Sequence, residues 1–386
     1  MTELDLDAAE DGFRLTTDGT VGIEEEFAIL DPETLDLVPA FEELFEASAA
    51  AGGLNEHVAG ELITSEIEIR SKAGADFNDA VADQRLTRAA LFSLAREKGY
   101  LLGSTGTHPW ADYREQAFID TDHYRRVTDE LQYVARRNNT FALHVHVGVS
   151  GADRAVRVCD RLRPLLPTLL AASVNSPFLE GHDSGLRSAR TQTFTRSFPR
   201  CGIPDAFGSW AAYREYLETL VATGSIVEAT QVWWSIRPHL VFGTVEVRIC
   251  DGQMTAPESE ALAGLIVACV LQAAREEDEG RPLPEVPPRL IEENLWRAIR
   301  WGDEGELIDF ERGVSRPARE AVDGLQEWTA DVRSEAAIDS ALPQRTGARR
   351  QLDAFQAGES IRDVYASTVA QTGESYGADA PMEVSE

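Results

Sequence analysis

Glu24 and Glu26 stand two residues apart in Val21-Gly-Ile-Glu-Glu-Glu-Phe-Ala-Ile-Leu30, a stretch that alternates like a β-strand. Strand side chains point to opposite faces with a period of two. The two carboxylates therefore lie side by side on one face, and Ile23, Phe27 and Ile29 make the other face apolar. Adjacent negative charges repel unless a cation sits between them. The pair suits metal binding; the plainer alternative is a half-solvated strand of an acidic protein. Glu25 falls on the apolar side and fits neither reading, which leaves an edge position or a buried partner.

The same plan recurs further along the chain. In Gly60–Arg70, Ile63, Ile67 and Ile69 share one parity, while Glu66, Glu68 and Arg70 share the other. In Thr140–Val149, the apolar residues Phe141 to Val149 alternate with His144 and His146. Gln231–Leu240 puts Trp233, Ser235, Arg237 and His239 on one face. Gly243–Cys250 backs Glu246 and Arg248 with Val245, Val247 and Ile249. Several carboxylates with an imidazole form a hard ligand set suited to Mg²⁺ or Mn²⁺. Zinc is poorly served, since the chain has no cysteine cluster and no HExxH. Interleaved arginines suit phosphate oxygens, which Mg²⁺ bridges. Neither GxxxxGK[ST] nor GxGxxG occurs, so a P-loop or Rossmann nucleotide site is excluded. The chemistry that remains is ATP-dependent, metal-assisted phosphoryl transfer on the face of a sheet. Solvated surface would not need two histidines and two arginines at strand positions. Glu246 and Arg248 could still be a simple same-face ion pair, and Trp233 and Trp234 read as core or rim packing.

Helices must cover the apolar backs of these strands. Amphipathic patterns predict them near 40–51, 76–98, 121–137, 153–173, 209–223 and 257–276, with Ala80, Leu86, Ala90, Leu91 and Leu94 turned inward in the second. A short buried strand is expected at 99–104. The segment 174–208 reads as a long loop carrying Arg187, Arg190, Arg196 and Arg200, and such length argues for function. A Pro-rich connector at 277–288 leads into an all-helical remainder, 290–371. The expected fold is α+β: a curved, mainly antiparallel sheet with helices on its outer face and a polar front. We expect an acidic, loose segment at 1–18, a single catalytic domain at 19–371 and a disordered acidic tail at 372–386.

The chain has 386 residues and a net charge of −30, which excludes a broad nucleic-acid surface and disfavours anionic membranes. Only Lys72 and Lys98 are lysines among 36 basic residues, a composition suited to molar salt, where self-repulsion is screened. On this reading many scattered carboxylates are surface solvation. No apolar run is expected to reach the roughly 18 residues of a membrane span. The acidic N-terminus lacks the basic and apolar regions of a signal peptide, which points to the cytoplasm. Cys159, Cys201, Cys250 and Cys269 are widely spaced and expected as free thiols, with Cys159 and Cys269 in the core. A homo-oligomer is compatible with all of this.

Seven motifs in order resemble the glutamate–cysteine ligase type 2 family of carboxylate–amine ligases. They are Gly22-Ile-Glu-Glu-Glu-Phe, His144-Val-His-Val, Arg187-Ser-Ala-Arg190, Ser197-Phe-Pro-Arg-Cys-Gly-Ile-Pro204, Trp233-Trp-Ser-Ile-Arg-Pro238, Thr244-Val-Glu-Val-Arg-Ile-Cys-Asp251 and Glu293-Asn-Leu-Trp-Arg297. The resemblance runs over roughly residues 20–370. It implies a fold similar to the glutamine synthetase catalytic domain, ATP as co-substrate, and two or three Mg²⁺ or Mn²⁺ ions. It places Glu24, Glu26, Glu61, Glu68, His144 and Glu246 at metal-ligand positions, although Glu66 competes with Glu61 because it shares the parity of Glu68. His146, Arg237 and Arg248 fall near the phosphates. Arg187 and Arg190 would hold the glutamate carboxylate or the developing phosphate, with His146, Arg190 and Arg248 the catalytic choices. The implied reaction joins the γ-carboxylate of L-glutamate to the amine of L-cysteine through γ-glutamyl phosphate. Another amine, or a guanidino kinase of the same fold, is the alternative; an acidic divalent-cation-binding protein is the non-enzymatic one.

Overall fold

Strand β1 (Val21–Leu30) is the hub of a seven-stranded antiparallel sheet in the computed structural model, which describes residues 4–377. The other strands are β2 (Val58–Ala59), β3 (Glu66–Arg70), β4 (Leu101–Gly103), β5 (Ala142–Gly148), β6 (Ile236–His239) and β7 (Thr244–Asp251). Their order is β6-β7-β5-β1-β3-β2, and β4 pairs the far end of β1. Register decides what meets on the front. Glu24 lies opposite His144 on one side and Arg70 on the other, Glu26 opposite Glu68, and Glu246 opposite both His146 and Arg237.

The apolar backs are covered by helices. The principal ones are α1 (Leu6–Leu15), α2 (Phe77–Glu97), α3 (Ala152–Leu162), α4 (Leu166–Ser173), α5 (Ala189–Ser197), α6 (Ala256–Asp278) and α7 (Ile361–Tyr376). Side-chain caps fix where several begin. Asp76 accepts from the Asp79 amide at the start of α2, and Thr255 with Glu258 forms a capping box on α6. Ile23, Val145, Val147, Val245 and Val247 pack with α3, α4 and α6 in one core cluster; Phe27, Ile67 and Ile69 pack with α2 in a second.

Several expectations change at this point. Of the segment 1–18, residues 1–3 lie outside the described residues and the rest is not loose, because α1 buries Leu6, Ala9 and Phe13, and Phe13 meets Trp210 edge-on at 6.0 Å. The stretch 60–65 leaves the sheet as a loop. The helix expected at 121–137 becomes 3₁₀ from Gln132, and that expected at 153–173 is interrupted by a 3₁₀ turn containing Pro164. The segment 174–208 contains α5 and short strand pairs rather than one loop. The stretch 231–240 divides into Trp233–Trp234 and β6. A hairpin, Glu306–Asp309 with Val314–Pro317, interrupts the region read as all-helical. Leu86 points to solvent. α7 runs through Tyr376, so the tail expected from 372 begins as helix, and its remainder lies outside the described residues. One apolar stretch does reach spanning length: α6 is long and apolar enough to cross a membrane, but 83% of its apolar window is buried inside the protein. All four cysteines are free, and Cys159, Cys250 and Cys269 are buried.

Candidate active site

The front of the sheet brings Glu24, Glu26, Glu66, Glu68, His144 and Glu246 into one cavity of about 340 Å³, while His146 lines a neighbouring one. Among the described residues, three overlapping triads hold candidate ligand atoms within 4.8 Å of one another: Glu24–Glu68–His144, Glu24–His146–Glu246 and Glu26–Glu61–Glu68. Glu61 enters despite its strand parity because 60–65 is a loop, held where the Tyr124 hydroxyl donates to the Gly60 carbonyl. Glu66 lines the cavity from a deeper position and belongs to none of the triads. His146, expected beside phosphates, completes the second triad.

The contacts cluster carboxylate oxygens around two imidazoles. His144 Nδ1 lies 3.1 Å from a Glu24 oxygen, and its Nε2 lies 3.8 Å from Glu26. His146 Nδ1 is bonded to the Thr244 hydroxyl at 3.0 Å. Its Nε2 faces Glu24 at 3.3 Å and Glu246 at 3.9 Å without hydrogen-bond geometry, and it is buried with no partner. Glu66 Oε2 is likewise buried and unpartnered. Burial raises the carboxyls on the β3 side. Glu26 is pushed up to about 8 by burial and then by the Glu61 charge; Glu61, Glu66 and Glu68 also rise, chiefly through burial. On the β5–β7 side, burial opposes ionisation but loses. His146 and His144 hold Glu24 well below the usual range, and Arg237 and Arg248 do the same for Glu246. Burial and Arg248 push His144 down to about 4, so its ring is neutral and able to ligate. Hard oxygens, neutral imidazole and orphaned buried atoms fit Mg²⁺ or Mn²⁺.

Arginines close one side of the cavity. Arg237 Nε donates to Glu246 at 2.5 Å and its Nη1 to the Val232 carbonyl at 2.6 Å, while Arg248 also donates to Glu246. The Nε atoms of Arg248 and Arg190 are buried without partners. The pairing register of β7 with β5 shifts between Val247 and Cys250, beside Arg248. Arg190 is held from behind, donating to the Arg248 and Ile249 carbonyls at 3.1 Å each. Asp251, which sequence reasoning missed, anchors this corner. It accepts from the Asn175 amide and the Ser176 and Ser188 hydroxyls, and lies 3.9 Å from Arg190. Gly106 permits this approach, since a Cβ there would come within 2.7 Å of the Asp251 carboxyl carbon. Arg187 is not brought in: it pairs with Glu304 at 3.2 Å. Arg196 and Arg200 pair with Glu292 and Glu130.

A second cavity of about 520 Å³ adjoins the first and shares Glu24, Arg70, Val241 and Phe242 with it. Lys72 and His57 line its outer part. The tip of the β6–β7 hairpin overhangs both cavities. Val241 and Phe242 are exposed there, and Phe242 stacks on His239 at 4.4 Å. No periodicity pointed to this turn; the apolar pair Val241-Phe242 before Gly243 was its only signal. Trp233 lines the first cavity and Trp234 is buried in the core.

Comparison with known proteins agrees across the chain. The sequence profile described as Glutamate-cysteine ligase family 2 (GCS2) matches residues 20–374. A Rubrobacter xylanophilus protein with the provisional name glutamate–cysteine ligase 2-2 is 39% identical over 349 residues, 90% of each chain. A Solibacter usitatus protein with the provisional name glutamate–cysteine ligase 2 is 36% identical over 372 residues, 94% of this chain and 95% of the relative. Among solved structures, a Francisella tularensis glutamate–cysteine ligase in complex with AMP gives a TM-score of 0.65 at 11% identity, covering 96% of this chain and 91% of that one. A bifunctional glutathione synthetase from Pasteurella multocida gives 0.68 at 14% identity over 96% of this chain, which spans about half of that protein's length (54%). These structural likenesses establish the glutamine synthetase-like fold. With its profile matched from residue 20 to 374 and relatives more than a third identical over nine-tenths of its length, the chain belongs to glutamate–cysteine ligase family 2.

Proposed function

We propose that this protein is an ATP-dependent ligase that joins the γ-carboxylate of L-glutamate to the amine of L-cysteine. A carboxylate is a poor electrophile, so the γ-phosphoryl group of ATP is first transferred to a γ-carboxylate oxygen and ADP leaves. The cysteine amine then attacks the acyl carbon of γ-glutamyl phosphate. Phosphate departs with the bridging oxygen, the amine loses a proton, and γ-glutamylcysteine forms. Catalysis of this kind is mostly positioning and charge stabilisation.

The observation that carries this reading is the convergence of three ligand triads, two with an imidazole and one of carboxylates alone, and unpartnered arginine nitrogens about one cavity. Glu24, Glu26, Glu61, Glu68, His144 and Glu246 would hold two or three Mg²⁺ or Mn²⁺ ions, whose chemistry here is to offset repulsion between the acceptor carboxylate and the γ-phosphate. Arg237, Arg248 and His146 face the triphosphate in our assignment, and Arg190 faces the glutamate carboxylate or the developing phosphate. Arg187 is left out because Glu304 engages it. The nucleoside takes the adjoining 520 Å³ cavity, with Phe242 as an apolar wall. The test is ADP release with Mg²⁺ and glutamate in molar KCl, adding each amino acid in turn. Cysteine-dependent ADP release with γ-glutamylcysteine as product is expected. Equal release without any amine would sink the proposal.

A further inference from the structure

Glu25 is the residue of β1 that its sequence pattern leaves unexplained, and its surroundings assign it a part in the site. Its carboxylate is buried on the back of the sheet, among apolar side chains, and receives four donors. Arg88, wholly buried on α2, grips it with a fork, Nε to Oε2 at 2.7 Å and Nη2 to Oε1 at 2.9 Å. Gln84, one turn earlier on α2, donates to Oε2 at 2.8 Å, and Ser259 on α6 donates to Oε1 at 2.5 Å. The remaining terminal nitrogen of Arg88 reaches Glu260 on α6 at 2.7 Å, and the Tyr376 ring of α7 lies 5.2 Å from the guanidinium carbon. A carboxylate one residue from Glu24 and one from Glu26 is thus tied to two helices, and a third packs on its Arg88 partner.

Stability alone does not require this arrangement. A buried ion pair can often be replaced by well-packed apolar side chains at no cost, and the best-attested use of such groups is to specify register. Register is what Glu-Glu-Glu leaves open. A one-residue slip in a strand exchanges its faces, and the apolar pattern normally forbids it. With glutamate at three successive positions, a slip would still present a carboxylate to the front. The four-donor cup accepts only position 25 and so commits Glu24 and Glu26 to the cavity.

We propose that Glu25 and Arg88 are positioning residues that set the placement of the Glu24 and Glu26 carboxylates, and hence the divalent-cation affinity of the site. The inference rests on the metal-site part of the reading above and not on the identity of the amine. The experiment is Mn²⁺ binding, followed by the electron paramagnetic resonance signal of free Mn²⁺, with the melting temperature measured in parallel. In the double variant Glu25→Leu/Arg88→Leu we expect a parent-like melting temperature in EDTA and Mn²⁺ binding weakened at least tenfold. The double variant Gln84→Met/Ser259→Ala keeps the ion pair and removes two of the four donors; Mn²⁺ binding weakened about threefold is expected. Mn²⁺ affinity within twofold of the parent in either folded variant overturns the proposal. If the leucine variant does not fold, the Gln84/Ser259 variant decides by the same criterion. A parent that binds no Mn²⁺ overturns both the proposal and the metal site, whereas a parent that binds Mn²⁺ but turns over no amine defeats only the ligase reading.

Discussion

The carboxyls on the β3 side of the cavity make a prediction about the protein in the absence of divalent cations. Glu26 is raised from 4.5 to about 8, first by burial and then by Glu61, and Glu61, Glu66 and Glu68 move the same way. A carboxyl that is harder to ionise in the fold than in the unfolded chain leaves the folded state holding the extra proton. Stability then falls as pH rises from the unfolded value towards the folded one. For Glu26 alone, the rise from 4.5 to about 8 corresponds to roughly 5 kcal/mol at full ionisation. That is comparable with the whole stability of many domains. Surface carboxylates are already ionised above about pH 6, so they do not contribute between about pH 6 and pH 9. Glu24 and Glu246 are lowered, and their contributions change only in acid. His146, raised by Glu24 and Glu246 against burial, adds a loss of the same sign above pH 6.5. The assay is urea or thermal unfolding across this window, in EDTA and in excess Mg²⁺. In EDTA the midpoint should fall steadily with pH. In Mg²⁺ it should stay level or rise, because a cation held at 100 times its Kd adds about 2.7 kcal/mol. Glu68→Gln should flatten the EDTA slope and abolish the Mg²⁺ rescue. An EDTA midpoint that is constant or rises from pH 6 to 9, or that falls equally in Mg²⁺, would refute the reasoning.

Glu246→Gln breaks buried pairs with Arg237 and Arg248 and should cost about 3–5 kcal/mol in urea unfolding and at least tenfold in Mn²⁺ affinity. Asp251→Ala leaves the Asn175 amide and the Ser176 and Ser188 hydroxyls without their acceptor, so the KM for glutamate should rise about tenfold while metal-free ATP binding is unchanged. Phe13→Ala removes a wholly buried ring at the Trp210 contact and should cost about 3–5 kcal/mol in urea, with Mn²⁺ affinity unaffected. With a net charge of −30, the melting temperature should climb as KCl is raised towards molar concentrations, and a fall would argue against salt adaptation.

Much of the sheet was readable because its chemistry follows a period of two. Glu24, Glu26, His144, His146, Glu246 and Arg248 sit at strand positions where alternation alone sorts front from back. The same rule misplaced Glu61, since it holds only while the chain is a strand, and 60–65 is a loop. Arg187 and Arg190 look equivalent in sequence, yet α5 begins between them and sends Arg190 to the cavity while Arg187 turns to Glu304. Asp251 was invisible because its partners lie 63 to 76 residues away. Glu25 needed Arg88, Gln84 and Ser259, donors from two helices that no local pattern links to β1.

The end of the described chain packs on its beginning. Tyr376 meets Phe27 edge-on at 5.2 Å and stacks on Phe92 at 5.5 Å, and its hydroxyl donates to the Gln253 carbonyl. This has a consequence for synthesis on the ribosome. At about 5–20 residues per second, about 20–70 s separate the emergence of β1 from that of Tyr376. For that interval Phe27 has the Phe92 ring against it, edge-on at 5.2 Å, but lacks the Tyr376 ring that completes its cover. The nascent chain is then a polyanion whose apolar back still awaits its last helix, α7.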